Sequence, residues 1–293
     1  MSLVAQPRKN FVTFDLSSAR FAFLDLETTG LSPWFGDRIC EVGIVVSEGK
    51  RIKNTYQQLV NPQRLLSPGA ASTNGLLDSE LAAAPTFKEI AREVLEMLKD
   101  AVVVCHNAQF DLQFLDSELR RTGQEIQISN LIDTLFVARE HFHFQSNSLG
   151  SIAAEFNIQN PDTHRALADA LTCKTVFFAM MESLKPAGRQ FDEFIGLYNS
   201  PAWPQDGVGL PTELGEAIYS GKRLFITYIN KAGEMSERWV TPLQVLGLSD
   251  YIYLRGYCHL RKGERTFRLD RILKLQVEVQ NKTEKDEKRP SVY

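Results

Sequence analysis

Carboxylates inside apolar runs are the feature that most limits how this 293-residue chain can fold. Asp25 and Glu27 lie in FAFLDLETTG, Asp111 lies in HNAQFDLQFL, and His164 and Asp169 lie in HRALADA. An ionised carboxylate in such surroundings costs several kcal/mol unless a cation or another partner neutralises it. The pattern therefore predicts that the fold gathers these side chains around divalent cations.

The apolar segments around these carboxylates predict an α/β domain. Residues 21–26 and 38–46 read as buried strands, and residues 56–60 add a third strand to an antiparallel meander. The wholly apolar run at 101–105 is typical of a central strand that has helices on both faces. Helical periodicity and capping signals predict helices at 86–100, 108–121, 148–156 and 164–184.

The C-terminal third has a different pattern. From Leu224 onward, short segments alternate apolar and polar residues, which predicts a small, mostly antiparallel β barrel or sheet. We expect an N-terminal extension at 1–18, an α/β domain at 19–185, a Pro/Gly-rich linker at 186–212 that docks through Trp203, a β module at 213–280 and a charged tail at 281–293.

Charge and composition narrow the class of protein. Residues 1–185 carry 17 basic and 22 acidic side chains, whereas residues 213–280 carry 11 basic and 8 acidic side chains. An acidic cation-binding domain joined to a mildly basic module suits an enzyme that acts on a polyanion. The chain has neither an apolar run of membrane-span length nor a signal-peptide pattern, so we expect a cytoplasmic protein with no membrane partner. Its four cysteines stand singly among apolar neighbours and are expected to be buried thiols.

Residue type and spacing also suggest the metal. Asp25 and Glu27 are two residues apart on a strand, so they share a face and can bind one ion. A ligand set of oxygen atoms favours Mg²⁺ or Mn²⁺. Asp111, in the first turn of its helix, has an alternative role as a structural cap. His164, taken alone, is more typical of a surface residue or cap, and its place beside the acidic segments favours catalysis.

The order and context of these motifs resemble the DEDDh family of exonucleases, which includes the proofreading epsilon subunit of bacterial DNA polymerase III. The resemblance covers about residues 19–185 and implies an RNase H-like mixed sheet flanked by helices. It implies 3′→5′ hydrolysis of nucleic acid to nucleoside 5′-monophosphates with two divalent cations. In that scheme Asp25, Glu27 and Asp169 hold one ion, Asp25 and Asp111 contact the other, and His164 is the general base.

The family pattern also implies positions that contact the nucleic acid. Thr28 and Thr29, directly after Glu27, and Phe110 would hold the terminal nucleotide, and Asn107 completes the NxxFD pattern. Three other histidines have no predicted role in the chemistry. His106 fits no ligand position, and His141 and His143 are expected on a solvated loop.

The segment from Thr241 to Ile272 is similar to the WYL domain, a small Sm-like β module. Ile252-Tyr253-Leu254 stands at the signature position, so the usual tryptophan is missing, whereas the ending FRLDRI agrees well. The resemblance implies a site for a single strand or a small nucleotide-like ligand. The candidate residues for this site are Tyr253, Arg255, Arg265, Arg268 and Arg271. The alternative is a solvated edge in which these arginines pair with Glu264 and Asp270.

The leading interpretation is a metal-dependent 3′→5′ exonuclease with a C-terminal accessory module, acting alone in repair, turnover or stress. Single-stranded DNA is the favoured substrate, although the motifs do not separate DNA from RNA. The competing interpretation is a sensor of nucleic acid or a small ligand that uses an exonuclease fold without turnover.

Overall fold

Two sheets organise the chain in the computed structural model, which describes residues 15–33, 36–159, 164–188, 190–198, 212–248 and 251–278. The predicted tail at 281–293, most of the predicted N-terminal extension and Trp203 lie outside these described residues. Within the described residues, the first sheet has six strands and the second has five.

The first sheet combines an antiparallel meander with a parallel centre. Its strands are β1 (Arg20–Thr28), β2 (Ile39–Glu48), β3 (Arg51–Leu59), β4 (Val102–Cys105), β5 (Ile128–Asp133) and β6 (Gly196–Tyr198). They lie in the order β3-β2-β1-β4-β5-β6, in which β4 runs parallel to both β1 and β5. The predicted meander is confirmed by the antiparallel pairing of β1 with β2 and of β2 with β3. The carboxyl ends of β1 and β4 therefore meet at one edge, where α/β folds commonly place ligands.

Helices cover both faces of this sheet, as the apolar run of β4 predicts. The helices of this domain are α1 (Pro68–Asn74), α2 (Asp78–Ala82), α3 (Phe87–Leu98), α4 (Ala108–Arg121), α5 (Thr134–His141), α6 (Leu149–Glu155) and α7 (Ala166–Leu184), of which α3 and α4 pack on one face and α7 on the other. On β1, Leu24 belongs to the core under α3 and α4, whereas Phe21 and Phe23 pack against α7. Since side chains alternate along a strand, Asp25 and Glu27 continue the row of Phe21 and Phe23 on the α7 face.

The structure differs from the sequence-based expectations at three places. Helix α7 begins at Ala166 and not at His164, which has a φ of 66° and precedes the helix. His141, expected on a loop, is the last residue of α5, and its ring packs against Phe194 at 5.1 Å. Within the segment expected as a linker, β6 pairs with β5, and Tyr198 is buried in the core of the first sheet. The aromatic residues of that segment are apolar enough to be drawn into the core.

The second sheet forms a small antiparallel module, as expected. A short helix, α8 (Thr212–Ser220), precedes it, and its strands are β7 (Leu224–Ile229), β8 (Met235–Leu248), β9 (Tyr251–Cys258), β10 (Gly263–Arg268) and β11 (Ile272–Val277). The order β10-β9-β8-β7-β11 places β11 at an edge, after a 3-10 turn at Leu269–Arg271. Leu214 and Ala217 of α8 are buried in the core of this module.

All four cysteines are buried thiols, as the sequence predicts: Cys40, Cys105 and Cys173 in the first domain, and Cys258 in the second sheet. In the part of the chain that the structure describes, no helix is both long and apolar enough to cross a bilayer.

Candidate active site

The predicted carboxylates come together at the carboxyl end of β1. Ligand atoms of Glu27, His164 and Asp169 all lie within 4.8 Å of one another. Asp111 reaches the same place from the first turn of α4, where its Oδ1 accepts a hydrogen bond of 3.1 Å from the backbone N–H of Leu26. These side chains and Asp25 line one cleft of about 580 Å³.

Burial, followed by repulsion between like charges, dominates the electrostatics of this cluster. Burial raises the pKa of the Asp25 carboxyl well above its usual range, and repulsion from Asp111 and Asp169 raises it further. The pKa of Glu27 is raised well above its usual range by burial and then by Asp169. Burial also raises the pKa of Asp111, although the hydrogen bond from Leu26 opposes it. Such a cluster becomes fully ionised at neutral pH only with cations beside it.

The donor set fits a hard divalent cation. Among the described residues, no hydrogen bond or ion pair satisfies the carboxylates of Asp25 and Glu27, so their oxygens are free to coordinate. Carboxylate oxygens at close range, with one imidazole, match the ligands that Mg²⁺ and Mn²⁺ accept. We therefore regard Asp25, Glu27, Asp111 and Asp169 as the residues that could hold metal.

His164 stands at the mouth of the cleft, held by its own backbone. Its N–H donates a 2.8 Å hydrogen bond to Oδ2 of Asp169, and its φ of 66° lies in the left-handed region. The side chain is exposed and close to Glu27 and Asp169. This short link, rather than a shared helix face, brings the histidine and the aspartate together.

Two residues that sequence reasoning missed fix the start of α7. Glu41 of β2 is fully buried, and its carboxylate accepts hydrogen bonds from the Arg165 guanidinium at 2.9 and 3.1 Å and from the Ala166 N–H at 3.1 Å. Gly43 pairs with Asp25 across the sheet, and a Cβ at Gly43 would collide with the backbone of α7 at Ala166. The absence of a side chain at Gly43 thus lets the first turn of α7 approach β2 next to Asp25.

A third missed residue fixes the start of α4. Asp133, at the end of β5, accepts hydrogen bonds from the N–H groups of Asn107 at 3.0 Å, Ala108 at 3.2 Å and Leu135 at 2.9 Å. Asn107 has a φ of 70°, so this carboxylate holds the turn that leads into Asp111. Burial raises the pKa of Asp133, and these three donors oppose that shift.

The expected nucleotide contacts separate into two groups. Thr28, Asn107 and Phe110 line the cleft. Thr29 is fully buried, and its hydroxyl accepts a 3.0 Å hydrogen bond from the Arg38 N–H, which ties it to the neighbouring strand. His106, for which no role was expected, also lines the cleft, where its ring bonds to Thr134 and to the carbonyl of Asn147.

In the C-terminal module, three of the five candidate side chains border one open pocket of about 700 Å³. Tyr253, Arg268 and Arg271 line it, together with Tyr228 and Lys231, which were not predicted. Arg255 and Arg265 do not line it. The ion pairs of the alternative interpretation are also present, because Arg255 lies 2.7 Å from Glu264 and Arg268 lies 2.6 Å from Asp270.

The mixed sheet with clustered carboxylates at the carboxyl end of its central strands defines the class of this protein as an exonuclease. A family model described as RNase_T, Exonuclease, matches residues 22–177, and the chain belongs to that family. A second model, the WYL domain, matches residues 210–277. Both resemblances predicted from the sequence are thereby confirmed.

Individual proteins agree with this assignment. The chain is 35% identical over 168 residues to DNA polymerase III subunit epsilon of Escherichia coli, a match that covers 54% of this chain and 69% of the relative. It is 29% identical over 171 residues to the 3′-5′ exonuclease DinG of Bacillus subtilis, covering 58% of this chain but only 18% of the relative. E. coli exonuclease I, solved with a dT13 oligonucleotide, has a similar fold, with a TM-score of 0.50 at 15% identity over 82% of this chain and 55% of that chain.

Proposed function

We propose that this chain is a metal-dependent 3′→5′ exonuclease that hydrolyses nucleic acid, with single-stranded DNA favoured, to nucleoside 5′-monophosphates. The main support for this proposal is the cluster of Asp25, Glu27, Asp111 and Asp169, whose carboxylates lie together in one cleft with His164 at its mouth. The names of the relatives, epsilon subunit and 3′-5′ exonuclease, support the direction of cleavage.

The cluster supports a site for two ions, Mg²⁺ or Mn²⁺. Asp25, Glu27 and Asp169 would hold the ion on the side of the attacking water, and Asp25 and Asp111 would hold the other. When bound, such a pair stabilises both the attacking and the leaving oxygen of an in-line displacement. Asp25 is assigned to both ions because Asp111 and Asp169 both interact with it closely enough to raise its pKa, after the larger effect of burial.

His164 is the proposed general base. Its ring is exposed at the cleft and close to Glu27 and Asp169, so it can reach a water molecule in that space. Imidazole is suited to accept a proton near neutral pH. The hydrogen bond from its own N–H to Asp169 holds its backbone in place and leaves both ring nitrogens available for this task.

The nucleotide would lie between the carboxylates and the side chains on the adjoining turns. Phe110 offers an aromatic face in the cleft for a base, and Thr28 and Asn107 offer polar groups for sugar and phosphate. In the C-terminal module, the pocket of Tyr228, Tyr253, Arg268 and Arg271 suits a phosphate beside an aromatic ring. We propose a nucleic-acid strand or a small nucleotide-like ligand as its occupant.

The first experiment follows cleavage of 3′- and 5′-labelled single-stranded DNA and RNA by the full chain with Mg²⁺, Mn²⁺ or EDTA. We expect metal-dependent shortening from the 3′ end, with Asp25→Ala and His164→Ala both inactive. An exposed residue on α3, changed as Glu96→Ala, is the control and should keep full activity.

Binding measured on the same samples separates the two interpretations of function. If the wild-type protein binds the oligonucleotides but shortens none of them with either metal, the exonuclease proposal fails and the sensor interpretation takes its place. The comparison of DNA with RNA also identifies the preferred sugar.

A further inference from the structure

The cleft that holds the carboxylates has a second wall, which belongs to the C-terminal module. Besides Asp25 and Glu27, the cleft is lined by residues 272–276, nearly the whole of strand β11, and by Glu213 of α8. Since β11 is an edge strand, it presents one side to the open space of the cleft. A substrate in this cleft therefore has β11 of the second module close to it, as well as the carboxylates of the first domain.

This wall is fixed by close backbone contact on one side. Helix α1 of the exonuclease domain packs on β11, and a Cβ at Gly69 would lie 2.5 Å from the carbonyl oxygen of Ile272 and 3.5 Å from that of Asp270. Real Cβ atoms do not approach other atoms as closely as 2.5 Å, so only glycine allows this spacing. Gly69 therefore sets how near β11 stands to the active site.

A buried carboxylate fixes the wall on its other side. Glu216 of α8 is only 5% exposed, and its Oε2 accepts a 2.9 Å hydrogen bond from the N–H of Asn147. The carbonyl of Asn147 in turn bonds to His106, which lines the cleft. Lys222 donates to the carbonyl of Gln145 at 2.8 Å in the same region. With contacts on both sides, the module is positioned as part of the cleft.

The chemistry of β11 suits a single strand. Leu275 and Val277 pack into the core of the module, so Lys274 and Gln276 are on the opposite side of the strand and are exposed. Lys274 is the one lysine or arginine among the described residues that line the cleft, where six carboxylates face it. Its side chain makes no hydrogen bond or ion pair within the described part of the chain, so its charge is available to a phosphate.

We propose that β11 is the substrate-selecting wall of the exonuclease, with Lys274 and Gln276 contacting the backbone of the last nucleotides of a single strand. This inference rests on the proposed exonuclease function and names the substrate class of that site. We expect the close approach of β11 that Gly69 allows to leave room for one strand at the carboxylates and to exclude a 3′ end that is still paired. Specificity for unpaired ends is thus a property of the two domains together.

The main test compares Lys274→Ala with Arg261→Ala, an exposed residue on the β9–β10 turn outside the cleft. The substrates are a single-stranded 20-mer, the same strand in a blunt duplex, and the p-nitrophenyl ester of thymidine 5′-monophosphate with Mn²⁺. We expect the wild type to cleave the single strand at least about ten times faster than the duplex. Lys274→Ala should raise KM for the single strand about fivefold, the effect of one phosphate contact, and should raise KM less for the small ester, which lacks the preceding phosphates.

The three substrates distinguish a failure of the proposed role of β11 from a failure of the proposed exonuclease activity. If the ester is hydrolysed but Lys274→Ala leaves KM for the single strand unchanged, or the wild type cleaves both polymers equally, β11 is not the selecting wall and the exonuclease proposal stands. If the wild type hydrolyses neither ester nor polymer, both proposals fall.

A pair of glycine variants tests the spacing independently. Gly69→Ala should push β11 away from α1 and lower the ratio of the single-strand rate to the duplex rate. Gly150→Ala is the matched control, because Gly150 is also helical and a Cβ there meets nothing within 4 Å. An unchanged ratio in a folded Gly69→Ala protein would contradict the role of this spacing.

Discussion

Charge is arranged differently in the carboxylate cluster of the first domain and in the arginine pocket of the second. In the cluster, Asp25, Glu27 and Asp111 repel one another, and burial holds their pKa values high. In the pocket, Arg268 is paired with Asp270, and the surroundings are open. Buried carboxylates that repel one another are stabilised by bound cations, whereas paired and solvated charge is stable without a ligand. We therefore expect the first site to depend on bound ions more strongly than the second site depends on a ligand.

The largest expected effect comes from Asp25→Asn, which should move activity and stability in opposite directions. It removes a carboxylate shared by both proposed ions, so activity should fall at least about 10³-fold. It also relieves repulsion, so in EDTA at neutral pH the free energy of unfolding should rise by about 1 kcal/mol. Thermal melts beside Glu96→Gln, an exposed control, check this. A lower melting temperature for Asp25→Asn than for the wild type in EDTA would contradict the inferred repulsion among the carboxylates of the cluster.

The carboxylate cluster should also make the stability of the protein depend on pH. Because the pKa values of Asp25, Glu27 and Asp111 are raised in the folded state, the metal-free folded protein retains protons that the unfolded chain loses. In EDTA its stability should therefore decrease as pH rises above about 4, where free carboxyl groups ionise. Metal binding favours the ionised carboxylates, so Mg²⁺ should stabilise the protein more at pH 8 than at pH 5. Melting curves at both pH values, with and without Mg²⁺, measure this difference.

Gly43→Ala should disturb the cluster without removing any functional group. The added Cβ would collide with the backbone of α7 at Ala166 and displace Asp169 from Asp25. We expect a loss of about 1–3 kcal/mol of stability and of about 10²-fold in activity, because misplacing a catalytic group by about 1 Å has an effect of that size. Gly150→Ala serves as the control, and a fully active Gly43→Ala enzyme would show that α7 does not need this close approach.

Glu41→Gln should have a moderate effect. It removes the charge that holds Arg165 next to His164. The free energy of unfolding should fall by only about 1–2 kcal/mol, because Arg165 is half exposed and water can solvate its charge in the variant. Activity should fall about tenfold through poorer placement of His164. Glu48→Gln, which removes an exposed ion pair with Lys53, should change neither quantity measurably. Equal results for both variants would assign Glu41 no special role.

The smallest effects are expected in the C-terminal pocket. Replacing Arg268 and Arg271 together by Ala should weaken single-strand binding a few-fold and make it less dependent on salt. Each phosphate contact releases counterions from the nucleic acid, so a protein with fewer such contacts releases fewer counterions when it binds. Arg255→Ala, paired with Glu264 outside the pocket, is the control. Unchanged anisotropy titrations across salt concentrations would favour the interpretation of these arginines as structural partners of Glu264 and Asp270.

Sequence reasoning located the carboxylate cluster because its signals are local. Asp25 and Glu27 share a face by strand alternation alone, and Asp111 lies in the first turn of the helix that follows an apolar strand. The same rule, a carboxylate within an apolar run, also applies to Glu41 in ICEVGIVV and would have found it. Gly43 has no such signal, because its importance depends on a helix more than 120 residues later in the chain.

The arrangement of the two domains was beyond prediction for a related reason. Strand β6 has three residues, too few for a periodic pattern, and its assignment depends on pairing with β5. The placement of β11 beside α1 depends on the surface shape at Gly69, and its residues give no signal of this contact. Local patterns therefore indicate which elements form, and long-range packing decides which of them share the cleft.

The four buried cysteines give the molecule a built-in reporter of domain opening. Burial raises the pKa of the Cys40, Cys105 and Cys173 thiols in the first domain, which makes them unreactive while that domain is folded. Cys258 is the single thiol of the C-terminal sheet and is also buried. A thiol reagent should therefore label Cys258 at a rate that depends on how often the second sheet unfolds. Faster labelling of Cys258 than of Cys40, Cys105 and Cys173 would show that this sheet unfolds while the nuclease domain stays folded.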